Sequence, residues 1–218
     1  MPRRKTLWCL VCLILVACTH PPERPSLYAP PRSIAVLPFE VTCPGEGWGY
    51  FPCPVREIPT GEVAPGAAET MDRLLRELLA SHPGFRFINR GDFEVLWSRA
   101  LANLAQPSPA QIIKALGREI GTQALLYGRI FRFRERRGKG YAVERPASVA
   151  FALVLFDARS GRVLWKGWFD ETQQPLSRNL FKIKLYGGVR WLTAEELARR
   201  GLQKVLKDFP FPQGGSGG

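Results

Sequence analysis

Histidine is scarce in this chain, at 2 of 218 residues, and the two, His20 and His82, lie far apart, each followed by proline. His20 falls in a proline-rich stretch and His82 at a helix end, so neither is placed to act as a general base. The G-x-S-x-G elbow of a serine hydrolase is missing. The one glycine-rich stretch, "GEGWG" at 45–49, runs into Tyr50-Phe51-Pro52 instead of a helix start, so it offers no cradle of backbone N–H groups to a phosphate. "RGKGY" at 137–141 has Gly-Lys without a following Ser or Thr and reads as a turn. Long hydrophobic runs are also lacking, since the apolar run that opens at Leu7 holds about ten residues, half of the roughly 20 that cross a bilayer as a helix. The acidic pair Glu195-Glu196 sits at a helix start, where the dipole accounts for it. With these absences no catalytic, cofactor-binding or metal-ligating residue is nominated, and the chain is read as non-enzymatic with no cofactor.

What is present begins with Arg3, Arg4 and Lys5 ahead of that short apolar run, the layout of a secretory signal. Leu15-Val16-Ala17-Cys18 resembles the bacterial lipoprotein signal. The resemblance implies diacylglycerol on Cys18, cleavage before it and an acylated new N-terminus, since several acyl chains hold a protein on a membrane where one does not. The alternative is a plain cleaved signal with an incidental cysteine. An Asp after the acylated Cys commonly favours inner-membrane retention in such lipoproteins. Here Thr19 stands there, which implies the outer membrane, with the protein lipid-anchored and facing the periplasm.

The organisation that follows is a signal peptide over 1–17, an acylated Cys18 with a Pro-rich tether over 18–32, one domain over 33–208 and a disordered tail over 209–218. "THPPERPSLYAPP" has no apolar periodicity and reads as an extended stalk, reaching roughly 40 Å at about 3.1 Å per residue. Of five cysteines, Cys9 and Cys12 leave with the signal and Cys18 takes lipid. Cys43 and Cys53 remain as an even pair in an oxidising compartment, for which a disulfide closing the loop is the default. That pair is too few for a four-ligand zinc site.

Positive charge is in excess. The full chain carries +12, and without Arg3, Arg4 and Lys5 it keeps 28 Lys and Arg against 19 acids, or +9. Seven of these cations fall close together at Arg129, Arg132, Arg134, Arg136, Arg137, Lys139 and Arg145. Two readings are open for them: contact with an anionic envelope polymer, lipid head groups or an acidic protein face, and a solvated strand and turn. Nucleic acid, the other usual partner of a basic chain, seldom meets an exported, anchored protein, so none is assigned.

Periodicity supplies the elements. Ile34-Ala35-Val36-Leu37 is apolar on both faces, as a strand inside a sheet is. A loop over 41–65 holds the Cys pair. Met71, Leu74, Leu75, Leu78 and Leu79 then form one helical stripe that ends at Pro83-Gly84. "FRFINR" is a short strand, and "GDFEVLWSRALANL" an amphipathic helix for which Asp92 is the expected cap. Ser108, Pro109 and Gln111 start a third helix with a capping box, and Gly121 stops it. Long strands follow at "QALLYGRIFRFRER", "ASVAFALVLFDA" and "RVLWKGWFDE", the last two joined by the turn Asp157 to Gly161. Thr193 and Glu196 cap the closing helix, with Glu195/Arg199 and Glu196/Arg200 as i,i+4 pairs. The expected fold is α+β, an α/β-like sandwich of a mixed sheet of about five strands and about four helices in the order β-α-β-α-α-β-β-β-α.

In "IAVLPFE" at 34–40, "IIKALGREIGTQALLYGRI" at 112–130 and "FALVLFDARSGRVLWKG" at 151–167, the chain resembles a group of bacterial envelope proteins. The group includes the curli-secretion lipoprotein, the outer-membrane lipoprotein activators of peptidoglycan synthases and the N-terminal domain of the Tol-system periplasmic protein. These motifs are fold signatures with no catalytic residue. The resemblance implies a protein that works by contact, as an adaptor or regulator in envelope assembly, with an envelope protein or an anionic polymer as partner. A ring-forming subunit of a secretion or surface-organelle apparatus, hence a homo-oligomer, is the alternative. A secretion pore of the curli kind does not fit, because residues 41–63 do not alternate and Arg132, Arg134, Arg136 and Arg137 deny the 129–158 hairpin a clean apolar face. A glycan-acting enzyme is a third reading without a nominated acid/base pair. The contact residues expected are Trp48, Tyr50 and Phe51 in the Cys loop with Arg132, Arg134, Arg136 and Arg137. For the three aromatics, display to a partner and burial against the sheet stay equally open.

Overall fold

Strand β1 (Ile34–Val36) lies inside the sheet because both its faces are apolar: Ile34 and Val36 point to one side, Ala35 and Leu37 to the other, and all four are buried. In a computed structural model, the structure describes residues 30–41, 58–138, 144–173 and 191–212. Beyond β1 come β2 (Glu40–Val41), α1 (Ala67–Leu79), β3 (Phe85–Phe87), α2 (Arg90–Leu101), α3 (Pro109–Ile120), β4 (Ala124–Arg134), β5 (Ser148–Asp157), β6 (Val163–Thr172), α4 (Ala194–Val205) and a 3-10 turn (Leu206–Asp208). The fold is α+β, with one open mixed sheet in the order β3-β1-β4-β5-β6 and β2 added beside β4. β1 runs parallel to β3 and β4, and β2 parallel to β4, while β4, β5 and β6 form an antiparallel meander. The sheet thus has six strands where about five were expected; β2 is too short for an alternation to show in sequence.

Helices cover both faces. On one, α1 (Met71, Leu74, Leu75, Leu79) and α4 (Leu197, Ala198, Leu202, Val205) pack on Val149, Phe151, Leu153 and Leu155 of β5. On the other, Ile113, Leu116 and Ile120 of α3 and Phe93 of α2 pack on Ala35, Leu125, Tyr127, Val154 and Phe156. β5 is therefore apolar on both sides, as its sequence requires.

Local signals hold where they are strongest. Ser108 and Gln111 make the capping box of α3, Gly121 closes it at φ 71°, and Thr193 with Glu196 caps α4. The turn at Asp157 uses Gly161 at φ 75°. Three expectations are corrected. The cap of α2 is Asn89, whose side chain accepts from the Asp92 amide, while Asp92 sits one turn into the helix and accepts from Asn89 Nδ2 at 2.7 Å. Glu195 and Arg199 do not pair with each other along α4: Glu195 binds Arg73 and Arg199 binds Glu77, at 2.7 and 2.6 Å, because α1 lies alongside with the opposite charges. Residues 209–212 of the expected disordered tail are packed. Phe209 is buried against Trp165 and Phe85, and Phe211 stacks on His82 at 4.2 Å. Proline and glycine at the end of the chain suggest disorder, but two aromatics can fill the rim between β3 and β6.

Candidate functional site

The two connections on either side of β1 cross opposite faces, from β1 to β3 by way of α1 and from β3 to β4 by way of α2 and α3. In open α/β sheets the crevice beyond the carboxyl ends of such strands is where ligands bind. Here that crevice is filled by the chain itself. Phe39 lays its ring over Gly128, where an added Cβ would stand 2.4 Å from the ring, and meets Phe151 edge-on at 6.5 Å. Both peptide groups of Phe39 are clasped: its amide donates to Asp72 Oδ1 at 2.8 Å, and its carbonyl accepts from Arg90 Nη2 at 2.9 Å. Burial pushes the Asp72 carboxyl up to about 6, against the pull of that amide and of Arg90.

Beside it Glu40, 9% exposed, accepts from the Tyr127 hydroxyl at 2.6 Å and from Arg129 Nη2 at 3.0 Å, with Arg129 itself 4% exposed. Burial and the Glu40 carboxylate hold the Tyr127 phenol protonated far above its ordinary range. A neutral phenol and a paired cation around a carboxylate can fix the register of β2 against β4.

The Arg-rich run is largely spent inside the domain. Arg132 donates to Ser148 Oγ at 2.5 Å and to the Pro59 carbonyl at 3.1 Å, and pairs with Asp170, tying β4 to β5, β6 and the segment after residue 58. Arg136 donates to the Trp191 carbonyl at 2.9 Å, and Arg145 pairs with Glu62 at 2.5 Å. Arg134 is half-buried, and Arg137 is exposed on a bridge to Arg145. Cys18, Cys43, Trp48, Tyr50, Phe51, Cys53 and Lys139 lie outside the described residues. The stem of the Cys loop is described: Val41 is registered with Ile130, and Ile58 packs on Phe131.

Trp168 is 53% exposed between Lys166 and Asp170 on the face shared with Ala150 and Ala152. One feature was not read from the sequence. A cleft of about 670 Å³ lies at the other end of the sheet, lined in part by Lys114, Arg118 and Arg159. The i,i+4 spacing of Lys114 and Arg118 was visible in sequence, but their meeting with Arg159 depends on the β5–β6 turn packing against α3.

No family model matches the chain, and none of the curated proteins matches it. Solved structures similar to it include the PelC dodecamer from Paraburkholderia phytofirmans, 15% identical with a TM-score of 0.45, over 84% of this chain and 89% of that one. The lipoprotein GNA1162 from Neisseria meningitidis is 17% identical with a TM-score of 0.41, over 72% and 97%. The LpoB C-terminal domain from Escherichia coli is 15% identical with a TM-score of 0.37, over 76% and 94%.

Proposed function

We propose that this chain is a non-enzymatic lipoprotein of the outer membrane that acts as an adaptor or regulator in envelope assembly, held by lipid at one pole and engaging a protein partner at the other. The observation that carries the reading is the placement of the two ends of the domain. The stalk joins at Ser33, whose carbonyl accepts from the Thr122 hydroxyl and whose hydroxyl accepts from the Gln123 amide, just before β4 begins. The Cys loop springs from Val41 and returns at Ile58, beside Ile130 and Phe131. Along β4 that separation is roughly 23 Å at about 3.3 Å per residue. A tether at one end and an aromatic-rich loop at the other suit a protein that offers a contact surface away from its anchor.

Cross-linking of the acylated protein in its native envelope, with mass-spectrometric identification, tests this. One dominant envelope protein is expected, lost in a Cys18→Ala form and weakened by Trp48→Ala/Tyr50→Ala. Recovery undiminished by the double substitution would remove the loop from the contact.

The ring-forming alternative draws on a different observation. Among the described residues the outer edge of β6 is unpaired, with Val163 and Trp168 more than half exposed. Such an edge can be completed by a second copy. A discrete large oligomer in detergent is its signature, and a monomer at micromolar concentration rules it out.

A further inference from the structure

The cleft beside α3 exists because two elements touch at one point and then part. Gly117 lets the helix rest on the turn after β5, where a Cβ would stand 2.4 Å from that of Ala158. Around this contact Lys114 and Arg118 from the helix and Arg159 from the turn line a space of about 670 Å³. Among the described residues none of the three is in an ion pair. Asp157 Oδ1 accepts from the amides of Arg159 and Ser160 and from the Ser160 hydroxyl, and its carboxylate also feels the Arg159 charge without forming an ion pair, while Glu119 lies 3.8 Å from Arg99. A cation set drawn from two separate elements, with a cavity between them, differs from the scattered charge of a solvated helix face and fits an anionic phosphate group.

The rim of this cleft is also where the stalk joins. Thr122 and Gln123 line it, and they are the residues that bind Ser33; the Gln123 side-chain oxygen accepts from the Arg32 amide at 2.8 Å. We propose that the cleft takes the phosphate of an anionic lipid head group in the membrane that anchors the stalk, giving the domain a second, reversible attachment. This rests on the reading of Cys18 as the acylated residue. A fully extended stalk of roughly 40 Å far exceeds the screening length of about 8 Å, so contact requires the stalk to lie along the surface. Its junction at the cleft rim keeps the cleft beside the anchored end of the domain when it does so. Of the Arg-rich run, Arg129, Arg132 and Arg145 are paired within the domain.

The test uses the acylated full-length mature protein in phosphatidylethanolamine vesicles with or without phosphatidylglycerol, each lipid offered as a photo-cross-linkable analogue. Adducts are expected to concentrate on peptides 111–123 and 157–160 with the anionic lipid. Each basic side chain near an anionic surface contributes roughly fivefold, so Lys114→Ala/Arg118→Ala/Arg159→Ala is expected to cut that labelling by more than tenfold. An unchanged urea midpoint for the triple variant shows that the fold is kept. Equal labelling by the neutral lipid, or labelling indifferent to the three substitutions, overturns the proposal. Millimolar inorganic phosphate titrated in neutral vesicles separates the sources: saturable binding at the cleft without anionic-lipid adducts assigns a free anion and overturns the lipid. The mass of the N-terminal peptide reports separately on acylation, so loss of the anchor and failure of the cleft are distinguishable.

Discussion

Removing the Glu40 carboxylate tests whether the filled crevice is held by charge. That carboxylate receives the Tyr127 hydroxyl at 2.6 Å and Arg129 Nη2 at 3.0 Å, and the arginine is 4% exposed. Deleting one partner of a buried ion pair costs about 3–5 kcal/mol, because the remaining charge stays out of water. Tyr127 and Arg129 have contacts beyond these two, which places Glu40→Ala at the low end, about 3 kcal/mol. Arg129→Met is expected to cost a similar amount. Glu40→Leu with Arg129→Met, apolar on both sides, is expected to recover most of the loss, since exchanging a buried pair for packed apolar side chains is often neutral. The assay is urea unfolding followed by circular dichroism. With a slope of about 2 kcal/mol per molar, the Glu40→Ala midpoint falls by about 1.5 M. A fall below about 0.3 M, or a double variant as unstable as the two single losses added, would refute the reasoning.

Asp72 supplies a pH test. Its carboxyl titrates at about 6 in the fold against an ordinary 3.8, so the folded protein binds the extra proton between these values. Stability therefore falls as pH rises from about 4 to about 6 and levels off above, by about 2 kcal/mol once the partial exposure of the side chain is discounted. Asp72→Asn should flatten that slope in urea midpoints taken across the range, and an unchanged slope counts against the assignment. Gly128→Ala brings a methyl against the Phe39 ring and is expected to cost about 1–3 kcal/mol, read as a lowered thermal midpoint. Thr193→Ala removes the hydroxyl that accepts from the Glu196 amide at 3.1 Å and should cost about 1 kcal/mol, with fraying of α4 visible in amide exchange.

Legibility in the sequence followed the range of the forces at work. Ser108, Gln111 and Gly121 could be read because a cap is decided within four residues. The buried run in β5 could be read because two covered faces require apolar residues at every position. Asp92 was misplaced by three positions, since Asn89 and Asp92 both satisfy the cap rule and only the path of the chain out of β3 chooses between them. Glu195 and Arg199 answer to α1, which no local rule reveals. The basic run looked like a surface in sequence. Arg132 instead finds Ser148, Pro59 and Asp170, partners 16, 73 and 38 residues away. The cleft escaped for the same reason: Lys114 and Arg159 belong to one site only after β4 and β5 have paired.

The ion pairs between α1 and α4 join residues 122 positions apart, and β1 pairs with β4 across 90. Wiring of this kind makes folding slow, because long loops must close before their contacts return anything. While its last helix is still missing, the chain leaves bare the part of the sheet over β5 and β6 that α4 covers, and α1 lacks its neighbour. A chain wired this way stays loose until nearly all of its length is available, and collapses late and as a whole.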